Sequence, residues 1–493
     1  MKRREMLKGL GYGALGACVV PLNSSLAGEP VGAPSVPLDG LDDLAERIRS
    51  TPRSAVLDLA AKARRAGADT KDLLGAVFLA GLRDIRPWHV GGKLHAVMMV
   101  ESTFQLAEGQ PDREQWLAAL WNLDDFKRSQ ARDIEDSGGD WVLPARPAAV
   151  ASSELAARKE FLAAMDAWDP DRADRAIVAL LPHHDRDSLF ELVWPLAARS
   201  FVNIGHKIIY AAQIERTLRR IEWSHAEPAL RSLVMALLFQ PSGRMTDAIS
   251  RSEAIAGEIP DKWLQGAEVP ERSLDLLREL RSADREKAQD LVVRAFRSGL
   301  GPRTVWDGLR LRSAEVFLHR ASSTPGHREA LLPVHAVTVT GAFGHAWRVS
   351  RNDRTRRLMV LQAAAWVADL QAWLTDQDCI ADTTPPLDKL GADAASASET
   401  LDGLFEGPSA SRARALLDLQ PELAGRFVAR LHRNLIHTAV EHHQHKYAAA
   451  FAEEARLADS RWSALLLAPA LPYMPASAEP ATEFTRRALA SLA

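Results

Sequence analysis

The sequence predicts an all-α fold, arranged as a multi-helix array or bundle of about four degenerate helical units around a common centre. Apolar residues recur at spacings of three and four, for example in residues 59–63 and 73–78, and this period places them on one face of a helix. Alanine, the best helix former, is abundant. Alternation of β-branched residues with period two is nearly absent, and its one example, residues 337–340, lies inside a helical pattern.

Composition places the chain among ordinary soluble globular proteins. Its 493 residues are 47% hydrophobic and 25% charged. The 61 Lys and Arg against 64 Asp and Glu give a net charge of −3, without the basic excess of general nucleic-acid binders. We therefore expect no nucleic-acid partner. The two cysteines, Cys18 and Cys379, form no disulfide framework in a mature chain that loses Cys18.

Residues 1–27 are predicted to be a twin-arginine signal peptide. Arg3 and Arg4 precede the sequence Met-Leu-Lys and a short apolar stretch, and residues 25–27 offer a small-x-small cleavage site. We therefore expect export by the twin-arginine machinery to the periplasm or beyond, with no transmembrane span in the mature form. The alternative is a membrane-anchored lipoprotein, because residues 15–18 loosely match a lipobox that would place lipid on Cys18.

The remaining chain divides by composition. Residues 28–40 are rich in Pro and Gly and are predicted to be a linker. Residues 41–374 are predicted to form the main helical domain, because breakers such as Asp169-Pro170 recur at helix-sized intervals. Residues 375–411 are rich in Asp, Ala, Ser, Thr and Pro, which predicts a loop or insertion with a short helix. His-rich helices in residues 412–493 would complete the same domain.

A weak internal repeat, which we call the echo, is the most informative pattern in the sequence. Four times, a helix rich in Ala and Leu is followed, after a break, by a helix with a His near its start. These His are His95, His206, His335 and His437. Helix bundles build metal sites from side chains on facing helices, and imidazole suits iron, copper, zinc and nickel. The echo therefore predicts that the four His converge as metal ligands or acid–base groups.

The fourth helix adds two candidate ligands. In His437-xxx-Glu441-xxx-His445, positions four apart lie along one helix face. Glu441 and His445 are therefore expected to complete the metal shell, while His442 and His443 would point to other faces. The alternative for this face is a solvated polar stripe.

Two further His are predicted to be catalytic. His345 lies ten residues after His335, and His225 precedes Pro228, which fits the first turn of a helix. Either would orient ligands or shuttle protons. The alternative for any single His on an apolar helix face is a core histidine bonded to a backbone carbonyl.

Three motifs resemble the questin oxidase-like family: Leu94-His95-Ala-Val, Pro333-Val-His335-Ala-Val-Thr and the terminal His-rich helix. That family is largely helical, carries several helix-borne His, and its named members act in the oxidative ring opening of polyketide anthraquinones. The resemblance implies roles for His95, His335 and the region of His437. Those enzymes are intracellular, whereas this chain begins with an export signal.

These patterns predict an exported metal-dependent oxidase or oxygenase that acts on a small apolar or aromatic molecule, with iron or copper favoured as the transition metal. The motifs GxSxG, HExxH, CxxCH and GxxxxGK[ST] are absent, so they support none of the corresponding enzyme classes. The alternative is a helical-repeat binding or scaffold protein of the cell envelope with structural His. Convergence of His95, His206, His335 and His437 favours the enzyme, and dispersal along a superhelix favours the scaffold.

Overall fold

The computed structural model describes residues 40–88, 91–137, 139–148, 153–239, 243–381, 384–391, 400–474 and 481–493. The predicted signal peptide, Cys18 and all but the last residue of the predicted linker lie outside these residues. Within them no β-strand forms; isolated β-bridges pair Ala267 with Leu300 and Arg320 with Ile380. The all-α prediction is confirmed.

The first half of the described residues is built from helices, of which α5 (Asp112–Ser137) is the longest. In chain order they are α1 (Leu41–Ser50), α2 (Val56–Arg65), α3 (Thr70–Asp84), α4 (His95–Ala107), α5 (Asp112–Ser137), α6 (Glu154–Asp166), α7 (Pro170–Leu180), α8 (Arg186–Ala198), α9 (His206–Ile221), α10 (Ala226–Leu237) and α11 (Gly243–Ile255).

The second half of the described residues is also built from α-helices. Its helices are α12 (Glu271–Leu280), α13 (Arg285–Arg297), α14 (Pro302–Leu318), α15 (Arg328–Leu331), α16 (Val334–Val349), α17 (Asp353–Asp376), α18 (Leu401–Glu406), α19 (Ala410–Leu419), α20 (Ala424–Thr438), α21 (His442–Leu457), α22 (Ser463–Leu467) and α23 (Glu483–Leu492).

Local sequence sets many of the helix starts. At α3, Asp69 accepts from the backbone of Asp72 while Asp72 accepts from the backbone of Asp69, which is a reciprocal capping box. Such acceptors satisfy amide groups that have no partner within the helix. Single side chains do the same at α6, α7, α8, α13, α17, α18, α19 and α23, namely Ser153, Asp169, Asp185, Asp284, Asn352, Thr400, Ser409 and Thr482.

Four helices, α4, α9, α16 and α21, form a ring in which each packs against the next; we call this ring the central bundle. Other helices cover it: α3 and α5 pack on α4, α8 and α10 on α9, α14 and α17 on α16, and α20 and α22 on α21. The covering layer removes the inner faces of the central bundle from water, so polar groups that point inward must find partners there.

The chain between α17 and α19 is anchored to α14. Leu387 and Leu390 are buried, and the backbone amide of Leu387 donates to Oε1 of Glu315 over 2.9 Å. Arg281 links Glu315 to Asp388. The described residues of this segment include a helical turn at Leu387–Lys389 and the short helix α18.

None of the helices in the described ranges has both the length and the apolar character needed to cross a membrane.

A backbone constraint at the start of α9 generates a stability prediction. Gly205 has a φ of +74°, and a Cβ added there would lie 2.7 Å from Cγ2 of Val339. Left-handed backbone and overpacking each cost about 1–3 kcal/mol, so Gly205→Ala should lower the free energy of unfolding by about 2 kcal/mol or more in urea titrations. The control is Gly257→Ala, whose added Cβ would meet no heavy atom within 4 Å. Equal stability of the two variants would contradict this reasoning.

Candidate metal centre

Three His occupy the first turns of helices of the central bundle: His95 in α4, His206 in α9 and His335 in α16. Their Nδ1 atoms lie 2.7, 2.5 and 3.1 Å from backbone carbonyl oxygens three or four residues earlier. A carbonyl oxygen can only accept, so each Nδ1 carries the proton and donates it. Each Nε2 is therefore left with a free lone pair.

These lone pairs converge. The Nε2 atom of His206 lies 3.0 Å from that of His95 and 3.3 Å from that of His335. All three ligand atoms lie within 4.8 Å of one another. A metal bound at about 2.0–2.1 Å in tetrahedral geometry separates its imidazole nitrogens by about 3.3 Å. The three His are thus placed as ligands on one side of a single ion.

The fourth helix contributes different residues from those predicted. Helix α20 ends at Thr438 and α21 begins at His442, so the predicted continuous helix face is wrong. His442 and His443, expected to point elsewhere, form a second candidate group with His95, with ligand atoms within 4.8 Å. The ring of His442 stacks on that of His95 at a centroid distance of 4.2 Å. We call the five residues the His cluster: His95, His206, His335, His442 and His443.

Glu441 orients the fourth helix rather than facing the cluster as a free carboxylate. It has extended backbone and caps α21 by accepting from the backbone amides of His443 and Gln444. Its Oε2 also accepts from Nδ1 of His443 over 2.8 Å, and its Oε1 accepts from the hydroxyl of Tyr473 over 3.1 Å. The bond to Nδ1 leaves Nε2 of His443 as the lone-pair atom, which is the usual role of a carboxylate behind a metal-binding imidazole.

Burial keeps the cluster uncharged. Removal from water lowers the pKa of His95, His206 and His335 well below the ordinary value, and the nearby ammonium of Lys446 lowers it further. The first turns of four helices also place positive partial charge there. Neutral imidazole is the form that binds metal. Lys446 itself lies with Nζ 3.5 Å from Nε2 of His206, and burial lowers its pKa to about 7.

A close approach of backbone to ring helps to fix His206. Gly91 has a φ of +121°, and a Cβ at this position would lie 3.2 Å from Cε1 and Nδ1 of the His206 imidazole. Only glycine combines this conformation with the contact.

The other predicted ligands lie outside the cluster. His437 is 29% exposed, with Nε2 3.8 Å from Oε1 of Glu114. His445 is fully buried and stacks on Trp121 at 4.4 Å; within the described part of the chain its ring nitrogens have no hydrogen-bond partner. Burial lowers the pKa of His445 to about 3. The structure therefore brings together three of the six predicted ligands, places Glu441 behind His443, and leaves His437 and His445 outside the cluster.

The two His that were predicted to be catalytic also lie far from the His cluster. His345 lies ten residues along α16 from His335, or about 15 Å, and its Nε2 is 2.7 Å from Oε2 of Glu215. His225 follows the far end of α9, about 22 Å from its start, with Nδ1 3.8 Å from Oδ2 of Asp42. Neither reaches the His cluster.

Two cavities lie further along the central bundle. The smaller, of about 30 Å³, is lined by Lys446, by Ser102, Gln213 and Thr338, and by small residues such as Ala342. The larger, of about 570 Å³, is lined on its polar side by residues that include Glu101, Arg220 and His345. Both cavities are bordered by Gln105, Arg216, Ala449 and Glu453.

An ion pair lies where the linings of the two cavities meet. Nη2 of Arg216 lies 2.7 Å from Oε2 of Glu453, and Arg348 binds the other oxygen of Glu453 over 3.0 Å. The boundary between the two cavities is therefore partly formed by paired charges. Among the described residues, no Phe, Tyr or Trp lines either cavity.

No protein-family model matches the chain, and neither a curated protein nor a solved structure matches it.

Buried neutral His make the protein sensitive to acid, and His432 offers the cleanest test. Its Nε2 donates to the carbonyl of Ala448 over 3.2 Å, and burial lowers the pKa of His432 to about 4. An unfolded chain binds this proton near pH 6.5, so the folded state loses stability as pH falls from 6.5 towards 4. Relative to His432→Leu, the wild type should lose about 1.4 kcal/mol per pH unit between pH 6 and 4.5. Parallel pH profiles of unfolding free energy for the two proteins would refute this assignment.

Proposed function

We propose that the protein is a metal-dependent oxidase or oxygenase whose ion is held by Nε2 of His95, His206 and His335. The observation that carries this proposal is the convergence of three lone pairs at 3.0 and 3.3 Å. Without a cation between them these atoms repel one another, because none carries a proton to donate. His442 and His443 would supply further ligands, because they form a second candidate group with His95.

The ligand chemistry favours copper. Imidazole suits iron, copper, zinc and nickel, and copper(II) is bound most tightly of the divalent first-row metals. The usual non-haem iron site of oxygenases needs one carboxylate ligand, but both oxygens of the neighbouring Glu441 already accept hydrogen bonds. Bound copper would supply one-electron chemistry towards dioxygen. The chain's own groups would position the substrate, with Lys446 and Ser102 lining the approach.

The smaller cavity favours a small polar substrate rather than the apolar or aromatic one expected from the sequence. The smaller cavity, of about 30 Å³, has Lys446, Gln213 and Thr338 in its lining. A tricyclic anthraquinone of the kind that the questin oxidase-like resemblance implies is far larger than this space. The helical fold and the helix-borne His still agree with that resemblance. We also propose that residues 1–27 direct export as a twin-arginine signal peptide.

The scaffold alternative is less well supported. A scaffold needs no convergence of polar side chains from separate helices, and stacking of amphipathic helices suffices for its stability. Here His95, His206 and His335, which are 111 and 129 residues apart along the chain, meet in the interior. Burying three imidazoles whose Nε2 lone pairs face one another costs stability that apolar side chains would not cost.

Metal analysis of two variants tests the proposal. His335→Ala removes one converging ligand and should lower metal affinity at least about 100-fold, so the variant purified from the periplasm should lack metal while its helical circular dichroism persists. His445→Phe is the matched control, because His445 lies on the same bundle but outside the cluster, and this variant should keep the wild-type metal content. Bound metal is measured by mass spectrometry beside an optical spectrum.

The outcomes separate the hypotheses. Stoichiometric copper in the wild type, lost in His335→Ala, supports the metal centre, and ascorbate-driven oxygen consumption by the loaded protein then supports an oxidase. Zinc in its place would support a site without redox chemistry. Unchanged metal content in His335→Ala, or a colourless and metal-free wild type, would overturn the proposal.

A further inference from the structure

The larger cavity is separate from the His cluster. Among the described residues that line it, none belongs to that cluster, and His345, which does line it, lies about 15 Å along α16 from His335. Its volume of about 570 Å³ is within the range of pockets that hold small organic molecules, roughly 300–1,000 Å³. A ligand in this cavity would therefore occupy a site of its own, whether or not a metal is bound.

Part of the cavity wall is apolar and built mostly from small side chains. It includes Ala424 and Val428 of α20, Ala452 and Ala455 of α21 and Leu467 of α22. Contact between such a surface and the apolar part of a ligand removes both from water, which is favourable in proportion to the area covered. This wall therefore favours a ligand with an aliphatic body.

The charges contributed by α4 and the end of α9 are already matched. Nε and Nη2 of Arg220 donate to the two oxygens of Glu101 over 2.7 and 3.0 Å, and Nε2 of Gln105 donates to Oε1 of Glu101 over 3.0 Å. Glu108, which also lines the cavity, has a side chain that is 77% exposed, so water hydrates its carboxylate. These residues give the cavity no unmet demand for a charged ligand.

Arg216 is different, because most of its donors have no partner. Its side chain is 13% exposed, and Nη2 lies 2.7 Å from Oε2 of Glu453. A guanidinium has five N–H donors and stays charged in proteins, yet the described residues supply no further carboxylate or carbonyl acceptor to this one. Buried donors without an acceptor are costly. Arg216 therefore calls for an acceptor within the cavities that it lines.

Arginines outnumber carboxylates around Glu453. Burial alone would raise the pKa of Glu453, yet this pKa lies below its ordinary value because three arginines act on the carboxylate, namely Arg216, Arg348 and Arg456. The next residue, Glu454, is held elsewhere, since its Oε2 accepts from Arg310 over 2.7 Å. Arg216 and Arg456 both line the larger cavity. This part of the cavity therefore favours an anionic group.

We propose that the larger cavity binds an amphipathic aliphatic carboxylate, with its head group on the open donors of Arg216 and its chain against the wall of α20, α21 and α22. The planar guanidinium suits a carboxylate, which it can bind through two parallel hydrogen bonds. At roughly 30 Å³ per water-sized group, the cavity has room for a chain of about eight to twelve carbons. Gly425 and Arg456 are exposed members of the lining, so the ligand can enter from solvent.

Octanoate and 1-octanol, which share a chain length and differ in charge, test the site by isothermal titration calorimetry. The wild type should bind octanoate with a Kd about tenfold or more below that of octanol, because a charge-assisted hydrogen bond is added. Arg216→Gln should raise the Kd of octanoate about tenfold or more and leave that of octanol unchanged. Arg285→Gln is the matched control: Arg285 bonds Asp369 over 2.8 Å on α13, which lies outside the cavity lining, and this variant should bind octanoate as the wild type does.

A second variant decides the question if Arg216→Gln fails to fold. Ala452→Leu leaves every charge in place but fills part of the cavity, which Ala452 lines, and should weaken the binding of both octanoate and octanol. Unchanged octanoate affinity in a folded Arg216→Gln or Ala452→Leu protein would overturn the site. Octanol binding as tight as that of octanoate, or no octanoate binding by the wild type, would overturn it as well. The titrations need no bound metal, so failure of the proposed metal centre would leave this test intact.

Discussion

At the end of the central bundle where its helices begin, the Nε2 atoms of His95, His206 and His335 point at one another because their Nδ1 atoms already donate to backbone carbonyls. The same local bond is made three times, each within a first helical turn. It fixes the tautomer and the ring direction before any metal is considered. Three helices thus aim lone pairs at one point, where a bound cation would relieve their mutual repulsion.

This arrangement explains why the interior is layered along the bundle. Uncharged imidazoles occupy the end with the helix starts, Lys446 and hydroxyl groups come next, and paired charges such as Arg216 with Glu453 lie where the smaller and larger cavities meet. Small side chains, among them Ala342 and Ala450, leave room between these polar layers. An ordinary structural core of the same size would fill this space with apolar side chains.

The fold class and three of the five cluster residues could be predicted from the sequence. The echo worked because the same need, a His in the first turn of an inward-facing helix, recurs in α4, α9 and α16. Positions further along each repeat were informative as well. Ser102 lies seven residues after His95 and Gln213 seven residues after His206, and both line the smaller cavity.

The prediction for the fourth helical unit was wrong for a physical reason. Residues 435–445 have the composition of a continuous helix, but Glu441 takes extended backbone and caps a new one, which shifts the register from His437 to His442 and His443. The pattern itself held a signal: counting from His443, the positions seven and ten residues on are Ala450 and Glu453, which line the cavity. The pairing of His345 with Glu215 could not be predicted, because nothing local to either residue specifies it.

X-ray absorption at the metal edge of the copper-loaded protein tests the central claim most directly. The account predicts three or more nitrogen ligands at about 2.0 Å, together with the outer-shell scattering of imidazole rings. A first shell without that imidazole scattering, or with fewer than three imidazoles, would contradict it.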